Sequence, residues 1–191
     1  MSLDSQEIAV AGTVVAVRGA VVDVTFPGEA IPAINDALET EAADGRRILL
    51  EVAAQRDRTT VRTIALHNTN GLARGQRVTT LGGPLTVPVG GAVLGRLLDV
   101  TGRTGDRKGP LPEEAPRRAI HAAPPPLRAR GGASEPFRTG IKSIDTFVPM
   151  GRGQRMGVFS GSGVGKSILL GMTARGSEAD VNVIVLVGER G

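Results

Sequence analysis

The chain has 191 residues, 40% of them hydrophobic and 22% charged, a size and composition that fit one soluble globular domain or a small domain with part of another. Its net charge of +4 is spread without a run of like charges, and four Phe with no Trp or Tyr argue against the basic, aromatic-studded surface of a nucleic-acid binder. Zero cysteines exclude disulfides and thiolate metal sites and make a reducing cytosol the simplest home, while no signal-peptide pattern and no stretch of about 18 apolar residues points to a membrane.

From Ile8 to Leu81 the pattern is one of short β-like runs parted by turn residues. Val15 and Val17 alternate with smaller residues up to Arg18-Gly19, and Val22, Val24 and Phe26 then alternate with Asp23 and Thr25 up to Pro27-Gly28. Further runs follow at Arg47–Val52, Thr60–Leu66 and Gln76–Thr80, with Asp44-Gly45 and Gly71–Gly75 as turns. Several short strands at this spacing suit a small sandwich or a closed barrel; the expectation is a closed barrel over residues 1–83, with Val22, Val24 and Phe26 inside and Asp23 and Thr25 outside.

Residues 84–136 hold most of the chain's 12 prolines, with a cluster at Pro124–Pro126, and read as an extended Pro/Gly-rich connector. Within it Val89–Val100 suits a short helix or a strand, and the glycines at 90, 91 and 95 leave both open.

Residues 137–191 follow a different rhythm. Met156–Ser160 is a short apolar run, a glycine-rich turn comes next, Lys166–Arg175 has helical composition, and Val181–Val187 is a nearly unbroken β-branched run. This order predicts a right-handed strand–helix–strand unit over Met156–Val187 with its two strands parallel. The fold class expected is therefore a β-barrel followed by a partial α/β P-loop nucleotide-binding domain.

The chemistry concentrates in Gly161-Ser162-Gly163-Val164-Gly165-Lys166-Ser167. In such a loop the glycines turn successive N–H groups toward phosphate oxygens, the Lys reaches the outer phosphates, and the final hydroxyl is a Mg²⁺ ligand. The helix behind it adds the positive end of its dipole. The strict pattern places Gly at position 160, where this chain has Ser160, so the loop is a variant form. At the far end of the second apolar run stand Glu189 and Arg190. A carboxylate beyond a parallel strand can orient and deprotonate an attacking water, and a guanidinium can counter phosphate charge. His67 and His121 read as loop or surface residues, and Asp145 as a cap or loop hydrogen-bonder.

On these residues the first two-thirds of the chain resembles the catalytic beta subunit of F-type ATP synthases, through GAVVDVTFPGEAIPAINDALE, ILLEV, VRTIAL, GLARGQ, VPVGGAVLGRLLDVTG and AIHAAPP. The last part shares TGIKSID with those subunits. Its GRGQRMGVFSGSGVGKS, LLGM and ADVNVIVLVGERG look more like the flagellar and type III secretion export ATPases, in which a small non-Gly residue is common where Ser160 stands.

The resemblance implies ATP/ADP and Mg²⁺ as cofactors, with phosphate held by Ser160 to Ser167, Lys166 on the phosphates, Ser167 on the metal, Glu189 as catalytic carboxylate and Arg190 beside the phosphates. It implies a subunit of a hexameric ring of homologues around a central stalk. Such a ring works in ATP synthesis or hydrolysis coupled to proton transport, peripheral on the inner face of the membrane through partner subunits. Family members continue past Gly191 with a Mg²⁺-associated aspartate strand, a base pocket and a helical domain, so the chain is expected to be truncated. Export ATPase and non-catalytic ring-assembly module are the alternative readings.

Overall fold

In the computed structural model, residues 11–28, 31–132, 135–161 and 163–188 are described. They form two compact units, residues 1–123 and 124–191.

The first unit is built on a closed barrel of six strands: β1 (Ala11–Arg18), β2 (Val21–Thr25), β3 (Asp36–Glu41), β4 (Arg47–Gln55), β5 (Thr60–Ala65) and β6 (Arg77–Pro84). The order around the wall is β1-β2-β5-β4-β3-β6, and every neighbouring pair is antiparallel. The predicted runs at Arg47, Thr60 and Gln76 correspond to β4, β5 and β6. β3 was not foreseen. Its sequence, DALETE, offers one large apolar side chain and residues that disfavour strands in isolation. It is a strand because β4 and β6 flank it and satisfy its backbone on both edges.

Val22, Val24 and Phe26 are buried together with Val14, Leu38, Ile48, Leu50, Val52, Val61 and Val78, as the alternation on β2 predicts. On β1 the phase differs from the expected one. Val14 points into the core while Val15 does not, and the pairing with β2 slips between Val14 and Ala16. This bulge shifts the alternation by one residue, so that Val17 again packs on the core. Close packing fixes Gly12 as well, since a Cβ there would meet the Phe26 ring at 2.7 Å and the Thr25 carbonyl at 2.9 Å.

Asp23 faces away from this core, yet it is only 2% exposed. Three arginines cover it. Arg62 donates from Nε at 2.9 Å and from Nη2 at 3.1 Å, Arg56 donates at 3.2 Å, and Arg18 at 3.4 Å. These guanidinium groups come from β1, β5 and the turn between β4 and β5, so one carboxylate ties three stretches of the wall together.

Residues 84–123 pack as part of this unit. β7 (Thr86–Pro88) pairs with β8 (Arg117–Ala119), and Ile120 donates its N–H to the Leu85 carbonyl. Leu85 and Ile120 cover Ala37 and Leu49 on the outer wall, which explains why β3 and β4 bury residues on both faces. Val89–Val100 is neither a regular helix nor a strand. It contains one 3-10 turn at Gly91–Val93, then a loop in which Leu98 is bridged to Thr104 and Arg96 forks onto Asp106 at 2.7 and 3.1 Å.

The hydrogen bond from Arg62, joined by the charges of Arg62 and Arg56, holds the Asp23 carboxyl below its ordinary value of 3.8. The native protein thus keeps this group ionised at a pH where the unfolded chain has protonated it. Its stabilisation is fully present above the unfolded pKa and is lost as pH falls through the lower native pKa. Urea unfolding between about pH 7 and pH 3 should therefore show an acid limb that is shallower in Asp23→Asn, with lower stability for that variant at neutral pH. An acid limb of unchanged slope would show that Asp23 carries none of it.

Candidate functional site

The second unit begins with a short hairpin, β9 (Pro136–Phe137) against β10 (Met150–Gly151), enclosing helix α1 (Lys142–Phe147). The stretch TGIKSID folds around Asp145, as expected of a local hydrogen-bonder. Its Oδ1 accepts from the Thr139 N–H at 2.9 Å and the Thr139 hydroxyl at 2.7 Å, and its Oδ2 accepts from the Gly140 N–H at 3.2 Å. These donors, the Thr139 hydroxyl first, hold its carboxyl below the ordinary carboxylate value.

Helix α2 (Lys166–Gly176) is the helix predicted behind the glycine loop. Its C-terminal end rests on the TGIKSID turn. The Glu178 N–H donates to the Arg138 carbonyl at 3.1 Å, and a Cβ on Gly140 would overlap the Gly176 carbonyl. Gly140 also sits at φ +77°, so glycine is required there for both backbone and space.

At the other end of α2 stands the loop. Gly165 is the N-cap, at φ 98° in the left-handed region, and Gly163 has φ 78°. Both values suit glycine and few other residues. Among the described residues, the N–H groups of Gly161, Gly163, Val164 and Gly165 donate no hydrogen bond within the chain. Four unspent donors in a glycine loop before a helix N-terminus are an arrangement that can hold a phosphate group. Lys166 and Ser167 form the first residues of α2, and Ser160, Gly161 and Ser167 are exposed at the start and end of the loop. Ser162, Glu189 and Arg190 lie outside the described residues, so the expected carboxylate and guanidinium of the site carry no geometry here.

The strand–helix–strand expectation needs correction. Met156–Ser160 and Val181–Val187 form no ladder with any described residue, and the second run is exposed, with Val183 at 83% and Val187 at 84%. The β-branched composition favours an extended chain, but a strand is held by partners on its edges and apolar cover on its faces. Among the described residues neither is supplied to this run.

His121 Nε2 lies 2.9 Å from the accepting Glu51 carboxylate, and His67 lines a separate cleft of the barrel unit. No group of three or more His, Cys, Asp or Glu among the described residues could hold a metal, and no described helix is long and apolar enough to cross a membrane.

Residues 14–82 match the model of the ATP synthase alpha/beta family beta-barrel domain, and residues 140–191 that of the same family's nucleotide-binding domain. The chain is 52% identical over 159 residues to an ATP synthase subunit beta 3 of Paraburkholderia xenovorans, covering 83% of this chain and 32% of that protein. It is 47% identical over 182 residues to an ATP synthase subunit beta 2 of Polaromonas naphthalenivorans, covering 94% and 37%. Among solved structures it is similar to the assembled ATPase EscN of the enteropathogenic E. coli type III secretion system, with TM-score 0.81 and 34% identity over 94% of this chain and 42% of that one. The chain spans about a third of the length of the curated relatives it matches.

The seating of α2 on Gly140 has a direct test. Gly140 and Gly153 both occupy left-handed backbone, but only Gly140 has a neighbour where a Cβ would stand. Gly153→Ala should cost roughly 1–2 kcal/mol, the conformational penalty alone. Gly140→Ala should cost more than that and should also loosen α2, visible as faster amide exchange along residues 166–176. Equal costs for the two variants would mean that the Gly140–Gly176 approach contributes nothing.

Proposed function

The chain belongs to the ATP synthase alpha/beta family, and on that premise we propose that it acts as an ATP-binding catalytic subunit of a rotary, proton-coupled ATP synthase or ATPase. The observation that carries the proposal is the glycine loop, whose N–H groups among the described residues donate no hydrogen bond within the chain, in front of α2. A nucleotide's phosphates have the acceptor oxygens and the negative charge that this loop and helix end would stabilise.

In this reading the N–H groups from Gly161 to Gly165 hold phosphate oxygens, with Ser160 and Ser162 as the small residues that let the loop approach. The Lys166 ammonium lies along the outer phosphates of ATP or ADP. The Ser167 hydroxyl would be one oxygen ligand of Mg²⁺, which when bound would neutralise charge on the phosphates. Glu189 orients the attacking water and accepts its proton, and Arg190 balances phosphate charge. Residue roles from 189 onward rest on the resemblance.

The same family places such subunits in rings of homologues, and both the synthase beta subunits and EscN are of that kind. We propose a hexameric ring with a central stalk, docked on the inner face of the membrane through partner subunits. The likeness to EscN supports a second reading, protein-export ATPase, in which the same loop chemistry drives a different machine.

The 191-residue chain is expected to bind magnesium ATP weakly and to turn it over little. A phosphate loop alone leaves the base unheld, and phosphoryl transfer in such enzymes usually needs an arginine from a neighbour. Calorimetry with magnesium ATP and phosphate release at saturating nucleotide, each against Lys166→Ala, check this. Weak binding abolished by Lys166→Ala supports the reading. Binding that survives the substitution overturns the loop assignment, and turnover of about 1 to 10³ per second would show that the chain is catalytically sufficient.

A further inference from the structure

Outside the nucleotide loop, one cleft of the barrel unit brings together unspent donors. It has a volume of about 510 Å³ and is lined by Asp44, Arg46, Arg47, His67, Asn68, Asn70 and Arg103. At its wall the Leu49 N–H donates to His67 Nδ1 at 3.1 Å. A neutral imidazole that accepts at Nδ1 carries its proton at Nε2. That Nε2–H is buried and, among the described residues, has no hydrogen-bond partner. A buried donor left unmet is costly, and native structures rarely retain one without a ligand or a role.

The charges around this donor are unevenly spent. Arg46 donates to the Asn68 and Asn70 carbonyls at 2.6 and 2.8 Å and is paired with Asp44 at 3.5 Å. Arg47 is paired with Glu39. Asp44 is further occupied by the Arg46 N–H, so its carboxylate is neutralised from within its own turn. Asp99 is engaged by Thr101 and by the Arg103 N–H. The Arg103 guanidinium makes no hydrogen bond and no close ion pair among the described residues, its charge acting on Asp99 only at longer range, and the Asn68 amide N–H₂ is unused while its Oδ1 accepts from the Asn70 N–H.

From the unmet His67 Nε2–H, the unpaired Arg103 guanidinium and the Asn68 amide on one cleft, we propose a binding site for a phosphate-class oxyanion on the barrel unit. A tetrahedral anion offers several acceptor oxygens in different directions, which suits donors from three separate side chains better than a planar carboxylate does. Arg103 and Asn68 are exposed, so both can turn toward an anion in the cleft without disturbing the barrel. The site is independent of the nucleotide loop, which belongs to the other unit.

Burial first, and then the arginines with Arg103 foremost, keep the His67 pKa below its ordinary value, Asp99 alone acting the other way. A bound anion favours the imidazolium and should move that pKa back up.

The test follows the imidazole resonances of the whole 191-residue chain by NMR during titration with inorganic phosphate, at neutral pH and constant ionic strength. His121, the other of the two histidines, is the internal control. The expected result is a saturable shift of the His67 ring with His121 unmoved, a His67 pKa raised by phosphate, and affinity weakened about tenfold or more in Arg103→Gln. Acetate at the same concentration should produce a much smaller shift, and a sugar phosphate arm tells a phosphate ester from free phosphate. Equal shifts of both rings, no saturation, or an Arg103→Gln chain that binds as before would overturn the proposal. Should Arg103→Gln fail to fold, Asn68→Ala tests the third donor in the same way.

Discussion

A β-strand leaves a row of N–H and C=O groups on each edge, and everything else in this protein depends on how those rows are satisfied. In the first unit the solution is closure: six strands pair in a ring, so the barrel has no free edge. The strand that completes the ring is β3, joined to β4 on one side and β6 on the other. Bulges at β1–β2, β4–β5 and β3–β6 supply the bends that a small barrel needs. Val78, Leu38 and Leu50 then share one buried cluster with Val22 and Phe26.

The same constraint accounts for what the sequence made legible and what it hid. Alternation on β2 could be read because it is a local property, and so could the glycine loop, since its residue types answer to phosphate chemistry rather than to packing. β3 was hidden because its strand state is conferred by neighbours 6 to 48 residues away in sequence, not by Asp36, Ala37 or Glu39. The burial of Asp23 was hidden for a similar reason. Alternation correctly turns it away from the core, but the arginines that cover it lie 5, 33 and 39 residues away. A bulge at Val14 and Ala16, invisible in composition, put Val14 rather than Val15 inside.

The Val181–Val187 run shows the constraint from its other side. Its β-branched residues state a preference for the extended chain, and that preference alone does not make a strand. A run of β-branched residues becomes one when neighbouring strands take up its edge groups and helices cover its faces, which is how parallel sheets are built. In the relatives this chain spans about a third of the length, and the described residues bring no such neighbours to it.

Order in the second unit is correspondingly local, and it is organised around α2. One end of that helix presents the loop N–H groups, and the other is seated on the Thr139–Gly140 turn that Asp145 clamps. Because Gly140 lies against the Gly176 carbonyl with no room for a side chain, movement of α2 along its axis is opposed at its C-terminal end. The position of the loop is then set from a motif more than 20 residues earlier in the chain. TGIKSID and the glycine loop therefore form one mechanical unit: the first fixes where the helix ends, and the helix fixes where the phosphate donors begin. A sequence reading that treats them as two separate signatures finds both and misses the rod between them.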